Sequence, residues 1–364
     1  KIGVIRDALA HRGLTEVAIT PLITSPPASR RRARFAIARQ HGGPEGAVAL
    51  GFRRRGSDEI VAVERCTVLL PALEALLKPL RDLATEIGMT EISITQVHQG
   101  IDIILHGLDA LPTLVVREML AAFAHRHSIQ RLSVEILTPG RSGKGAGKRK
   151  RRQRTAVLET IVQTSAVRAR FAGVWVDFPP SAFLQPTAAG ESAIQHLVRN
   201  GLALEKLSTG KRAVRIADLY AGIGGIGFAL ASDDAVGGAR RHVAMFEDSA
   251  AMVGAARVAA SQAGLPVTAG ERDLARRPLS VAELKAYDAV IFDPPRAGAR
   301  EQAEALAASD VTRIAAVSCN AASFARDARI LTDGDYRMHT LTPIDQFLWS
   351  SHVELVAIFC RDGD

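Results

Sequence analysis

The chain has 364 residues, 47% hydrophobic and 23% charged, which supplies a full core, suits two domains and excludes a disordered protein. No apolar run approaches the roughly 18–20 residues that span a bilayer and no leader pattern opens the chain, so no membrane association is expected and the cytoplasm is the expected compartment. Lysine and arginine outnumber acids 46 to 38, a net charge of +8 that suits a polyanionic partner, and three cysteines are too few and scattered for a disulfide framework.

From residue 1 to about 177 the text reads as short strands and two helices, an α+β central domain. RRRARFAIAR alternates like a strand. VALGFRRRGSDEIVAVE predicts a hairpin turning at Gly56, Ser57 and Asp58, and TEISITQVHQGIDIILHG a second one turning near Gln99 and Gly100. PALEALLKPLRDLATEIG and TLVVREMLAAFAHRH carry helical spacing of apolar residues. The clusters Arg30, Arg31, Arg32, Arg34 and Arg53, Arg54, Arg55 are interleaved with Phe35 and Phe52, a composition that suits contact with phosphates and stacked bases. Between Arg141 and Arg154 stand eight basic residues and no acid, inside a glycine-rich stretch read as a linker over about 138–154. That run fits a solvated loop and a phosphate-contacting arm equally well. The strands TAVLETIVQ and GVWVDFP follow.

From 178 to 364 strands alternate with helices: VRIADLY and GFALAS, HVAMFE and SAAMVGAARVAASQAG, PVTAG, YDAVIFD and REQAEALAAS, RIAAVSC and ASFARDARIL, then MHTLTPI and HVELVAIF. This grammar predicts an α/β fold with a doubly wound, mostly parallel sheet. The link IDQFLWSS is too short for a parallel crossover, so the last two strands are expected to be antiparallel neighbours.

DLYAGIGGIGFALA carries Gly222, Gly224 and Gly227 as G-x-G-x-x-G at the end of a strand, the pattern of a nucleotide-cradling turn. Asp218 ends that strand, and Asp293, in FDPPRAGA, ends the fourth. Ligands of open α/β sheets bind at those ends, and two carboxylates there disfavour a pyrophosphate and favour a cation. S-adenosylmethionine supplies a sulfonium, an ammonium and an adenosine. Glu247, at the end of the second strand, suits ribose hydroxyls in either reading, and Asp273 suits the adenine amino group.

Cys319, in AAVSCNAASFARD, stands where an apolar strand gives way to a helix, and a helix N-terminus favours a thiolate. Carbon 5 of a pyrimidine becomes nucleophilic only after a thiolate adds to carbon 6, so a thiol here predicts carbon methylation.

FLQPTAAGESA, DLYAGIGGIG, FDPPRAGA, VSCNAASFARD and DQFLWSSHVELV, in this order, resemble the S-adenosylmethionine-dependent RNA 5-methyluridine methyltransferases, above all the 23S ribosomal RNA branch. The resemblance spans 178–364, and GFRRRGSDEIVAVERC resembles that family's central domain. It implies a Rossmann-like methyltransferase domain, Cys319 as nucleophile, Glu354 as the base that removes the carbon 5 proton, and donor contacts from Gln185, Tyr220, Gly225, Glu247, Asp273 and Asp293, to which the strand end and glycine loop add Asp218, Gly222 and Gly224. It implies RNA as the partner, and Cys66 favours ribosomal over transfer RNA; the protein is expected to be a monomer. The resemblance also implies Cys66 as one ligand of a 4Fe-4S cluster whose other ligands would lie upstream of Lys1, beside a small β-barrel domain. Cytosine methylases, by contrast, carry a cysteine where this chain has Pro295. The family's usual asparagine is Thr187 here, and its Phe-Pro-x-Thr-Gly-His run is FLWSSH, with Trp349 in it. An RNA N-methyltransferase, a nicotinamide oxidoreductase and a catalytically silent RNA-binding protein are the alternatives.

Overall fold

The structure, a computed structural model, describes residues 1–39, 48–54, 56–139, 154–207, 212–232 and 241–361. Residues 140–153 of the basic run, and Arg55, lie outside them. The chain divides into two compact units, Pro27–Ala169 on one hand and Lys1–Pro26 with Arg170–Asp364 on the other. This differs from a boundary at 177/178, and above all in the first 26 residues, which leave the central unit and join the C-terminal one.

The Pro27–Ala169 unit holds a seven-stranded sheet in the order Ile60–Ala62, Val48–Arg53, Arg32–Arg39, Glu91–Gln96, Ile101–Leu108, Arg131–Pro139, Arg154–Gln163. Its neighbours are antiparallel except Ile101–Leu108 and Arg131–Pro139, which run parallel because the helix Leu114–Arg126 carries the chain back between them. Alternation sends Phe35, Leu50, Ile92, Leu105 and Leu132 into a core shared with Leu77 and Leu80 of the helix Leu77–Glu86. Phe35 is therefore a core residue and cannot stack on a base, whereas Phe52 is part-exposed. The basic clusters are also less free than their spacing suggests. Arg31 is buried, burial pushes the Arg32 guanidinium down to about 10, and Arg34 donates from Nε to Glu91 at 2.7 Å.

The second unit is built on an eight-stranded sheet: β1 (Ile23–Thr24), β2 (Val214–Leu219), β3 (Arg241–Glu247), β4 (Val267–Glu271), β5 (Ala289–Phe292), β6 (Arg313–Ser318), β7 (Tyr336–Asp345) and β8 (Glu354–Arg361), in the spatial order β1-β7-β8-β6-β5-β2-β3-β4. Strands β5 and β6 are buried along their whole length, as expected of parallel strands covered on both faces. As the short link requires, β7 and β8 are antiparallel, and β8 is slotted between β7 and β6. The helix Ile2–Ala10 buries Ile5 and Leu9 in the core that also holds Phe324, Leu331 and Phe359, and β1 pairs in parallel with β7. Two such side chains contribute roughly 2 kcal/mol each, enough to hold the chain start on this unit. Among the described residues no helix is long and apolar enough to cross a membrane.

The sheet order reverses at β2, which pairs with β3 on one side and β5 on the other. A crevice therefore opens between the ends of β2 and β5, where the connecting chains leave in opposite directions.

Candidate active site

A cavity of about 550 Å³ fills that crevice, lined by the glycine loop, the ends of β2, β3 and β5, and by Cys319 and Glu354. At its floor the chain turns sharply: Tyr220 and Gly222 take left-handed conformations at φ +60° and +58°, and Gly224, at φ +91°, begins the helix Gly225–Ala231. Gly227 lets that helix lie on the sheet, since a Cβ there would sit 2.5 Å from Met245 Cε and 2.8 Å from Asp218 Oδ2.

Asp218 is 1% exposed, and its Oδ2 has no hydrogen-bond partner among the described residues. Burial first, then the charge of Asp293, pushes its carboxyl up to about 7. Burial likewise lifts Asp293 to about 7. Glu247 accepts from the Gly222 amide at 3.0 Å and from the Ser249 amide at 3.1 Å, which locks it across the mouth of the loop. Burial lifts the Tyr220 phenol to about 12, so it stays a neutral donor. Asp273 turns Oδ1 onto the amides of Ala275 and Arg276, both at 3.1 Å, and pairs with Arg276 through Oδ2. Its carboxylate thus caps its own turn while still lining the cavity.

Cys319 and Glu354 meet because of strand register. Ser318 pairs with Leu355 between β6 and β8, so one step further Cys319 comes opposite Glu354. Glu354 is 3% exposed, and burial, then Asp293, holds its carboxyl well above the usual range. The Cys319 thiol is pushed up by burial, then by Glu354 and Asp293, against an opposing Arg296. This corrects the expectation of a thiolate favoured by the helix end. The helix starts at Ala321, and Asn320 answers its N-terminus by accepting from the Ala322 amide at 3.0 Å. Arg296, which follows the two prolines of FDPPRAGA, is the cation that acts on the thiol, and its guanidinium lies 2.8 Å from His352 Nδ1. The residue pattern alone gave Arg296 no role. Its position two residues past Pro294 in a motif already tied to the crevice was the available signal.

Gln185 also lines the cavity, donating from Nε2 to Asp293 at 3.3 Å and accepting at Oε1 from Gln346 at 2.9 Å. Thr187 caps the helix Ala188–Leu202 by accepting from the Gly190 amide. Cys66 lies apart from this site, half-buried against the Pro27–Ala169 core, with its amide donating to Glu74. Among the described residues no three His, Cys, Asp or Glu side chains gather to hold a metal. Cys66 by itself supplies one of the about four thiolates that an iron-sulfur cluster takes.

Apolar walls from Phe171, Ile223, Ile226 and Met252 with buried acids at the floor make a cleft for a ligand with a flat apolar part and positive charge. The unpartnered Asp218 oxygen and the acids lifted by burial, to which repulsion from Asp293 adds at Asp218 and Glu354, fit S-adenosylmethionine, whose ammonium and sulfonium would relieve them. Fold and site together define an S-adenosylmethionine-dependent methyltransferase. Residues 146–361 match the model of the tRNA (uracil-5-)-methyltransferase family, and the chain belongs to that family of RNA-modifying enzymes. It is 37% identical to an uncharacterized RNA methyltransferase of Mesorhizobium japonicum over 97% of this chain and 77% of the relative. It is 32% identical to the 23S rRNA (uracil(1939)-C(5))-methyltransferase RlmD of Chromohalobacter salexigens, over 98% of this chain and 70% of the relative. The fold is similar to that of the Pyrococcus abyssi tRNA (uracil-54, C5)-methyltransferase, with a TM-score of 0.67 and 21% identity over 98% of this chain and 81% of that one.

Proposed function

We propose that the protein methylates carbon 5 of one uridine in ribosomal RNA through a covalent bond between Cys319 and carbon 6. The observation that carries this reading is the meeting of Cys319, Glu354 and Asp293 in one cavity with the glycine loop. Ribosomal RNA is favoured by the 32% identity to a 23S rRNA enzyme along nearly the whole chain. The exposed Arg53 and Arg54 with the part-exposed Phe52 suit RNA contact by the Pro27–Ala169 unit, and catalysis falls to the other unit.

S-adenosylmethionine, when bound, supplies the methyl group. The target base flips into the cavity beside Cys319, Gln185 and Glu354, and Gln185, on Asp293, faces the donor as well. Asp218 and Asp293 face the donor's positive charge, Tyr220, Gly222, Gly224 and Gly225 shape its seat, and Glu247 and Asp273 lie where ribose and adenine are bound. Cys319 gives up its proton to solvent, and Arg296 steadies the resulting thiolate as it adds to carbon 6, moving the ring's π electrons toward carbon 5 and oxygen 4. Carbon 5 takes the methyl group, Glu354 removes the proton left on that carbon, and the returning electrons restore the double bond and expel the thiolate. A carboxyl held above its usual range by burial suits such a base near neutrality.

Labelled methyl transfer followed by nucleoside analysis tests the proposal. Cys319→Ala is expected to lose at least about a thousandfold in 5-methyluridine formation while binding the donor within about threefold of wild type. Full activity in that variant overturns the adduct, and product on a nitrogen overturns the reaction class. Glu354→Gln is expected to accumulate the covalent RNA adduct as a slow band on a denaturing gel.

A further inference from the structure

Gln346 stands just beyond the end of β7, 2% exposed, and the proposed reaction steps give it no part. It is wedged over the helix Ala188–Leu202, where a Cβ at Gly190 would come within 2.3 Å of its carboxamide. Its Oε1 accepts from the Thr187 amide at 3.3 Å and from the Thr187 hydroxyl at 3.4 Å. A backbone amide can only donate, so the Gln346 oxygen must face Thr187 and its nitrogen must face Gln185. Gln185 must then answer with its own oxygen, which leaves its Nε2 for Asp293 and the cavity. One backbone N–H therefore fixes the orientation of two carboxamides in series. The chain is closed at its far end by Ser25, whose hydroxyl lies 2.7 Å from the Thr187 hydroxyl and whose amide donates to the Asp345 carbonyl at 2.9 Å.

We propose that Gln346 is a positioning residue for the reaction, holding Gln185 with its amide nitrogen on Asp293 and in the cavity, with Thr187 and Ser25 as its anchor. A lone Gln185 could turn over by rotation about its last side-chain bond and present an oxygen to the Asp293 carboxylate, a repulsive contact. The buried partner removes that alternative in advance, which is the preorganisation a site on a loop otherwise lacks. This inference rests on the proposed donor site but not on the identity of the methylated atom.

The test is a double-mutant cycle on S-adenosylhomocysteine binding, read by titration calorimetry, with thermal melting alongside. Gln346→Met keeps the volume and removes both polar functions, and Gln185→Ala removes the group it positions. Each is expected to weaken binding roughly tenfold, and the double variant no further than Gln185→Ala alone. Thr187→Val, which leaves Gln346 intact and removes one anchor, is expected to lose roughly threefold. With S-adenosylmethionine as varied substrate, Gln346→Met should raise KM in step with the binding loss. Losses that multiply in the double variant, or wild-type binding in Gln346→Met, overturn the proposal. Should Gln346→Met fold poorly, a cycle of Thr187→Val with Gln185→Ala replaces it: no further loss in that double variant supports the proposal, and multiplied losses overturn it. A wild-type protein that binds S-adenosylhomocysteine but makes no 5-methyluridine defeats the proposed function and leaves this cycle readable.

Discussion

Both units bury acids, and they treat them in opposite ways. In the Pro27–Ala169 unit, Asp102 is 3% exposed and receives the Arg131 guanidinium at 2.6 Å, while the part-exposed Glu135 meets the buried His106 at 2.9 Å. Burial still raises the Asp102 carboxyl, but Arg131 pulls it back. At the crevice of the other unit Asp218, Asp293 and Glu354 crowd together, and their charges add to the effect of burial instead of relieving it. A paired buried acid completes a structure, whereas acids that repel one another in a cavity wait for a cation from outside. The difference separates a scaffold from a binding site without reference to any motif.

The contrast breaks most sharply if the pairing is undone. Arg131→Met leaves Asp102 buried without its guanidinium and is expected to cost roughly 3–5 kcal/mol, a drop of about 10–20 °C in the melting of that unit. Adding Asp102→Leu should recover most of the loss, because a pair replaced by apolar groups is nearly neutral. At the crevice the sign reverses. Asp218→Asn removes one of the repelling charges, so the ligand-free protein is expected to melt a few degrees higher at pH 8, while affinity for S-adenosylmethionine falls roughly thirtyfold. Calorimetric scans and binding titrations on the same samples check both, and a destabilised Asp218→Asn would contradict this account of the crevice.

The sequence displays the crevice better than its supports. The runs VRIAD and AVIF, the glycine loop and the acid at the end of each of these strands all follow local rules, so the parallel sheet and its switch point were readable. The approach of Cys319 to Glu354 depends on a register that no local pattern states. Nothing in Ile2–Ala10 names its partners near Phe324 and Leu331, hundreds of residues away, so the return of the chain start to the C-terminal unit was missed. Thr187 looked like a departure from a family pattern and Gln346 drew no reading at all, because their relation is a contact and not a spacing. The misplacement of Phe35 was avoidable. Period two puts Arg34 and Phe35 on opposite faces of one strand, so they could not share a surface.

The smallest expected effect tests the crevice acids directly. Asp218 and Asp293 ordinarily ionise near 3.8, and here each is lifted to about 7. A folded-state value raised above the unfolded one favours folding at low pH, and that contribution is lost as pH rises from about 4 through about 7. The ligand-free protein therefore loses the crevice's share of its stability toward neutrality, and Asp218→Asn should flatten that slope. Donor binding runs the other way, since only the ionised acids attract a cation. For one titrating acid with a midpoint near 7, the affinity of the Cys319→Ala protein for S-adenosylmethionine should fall about tenfold between pH 8 and pH 6. S-adenosylhomocysteine lacks the sulfonium and should show a shallower dependence over the same interval. Equal pH slopes for the two ligands would mean that the acids answer only the ammonium, and a flat profile for both would mean that the crevice is already ionised below pH 6.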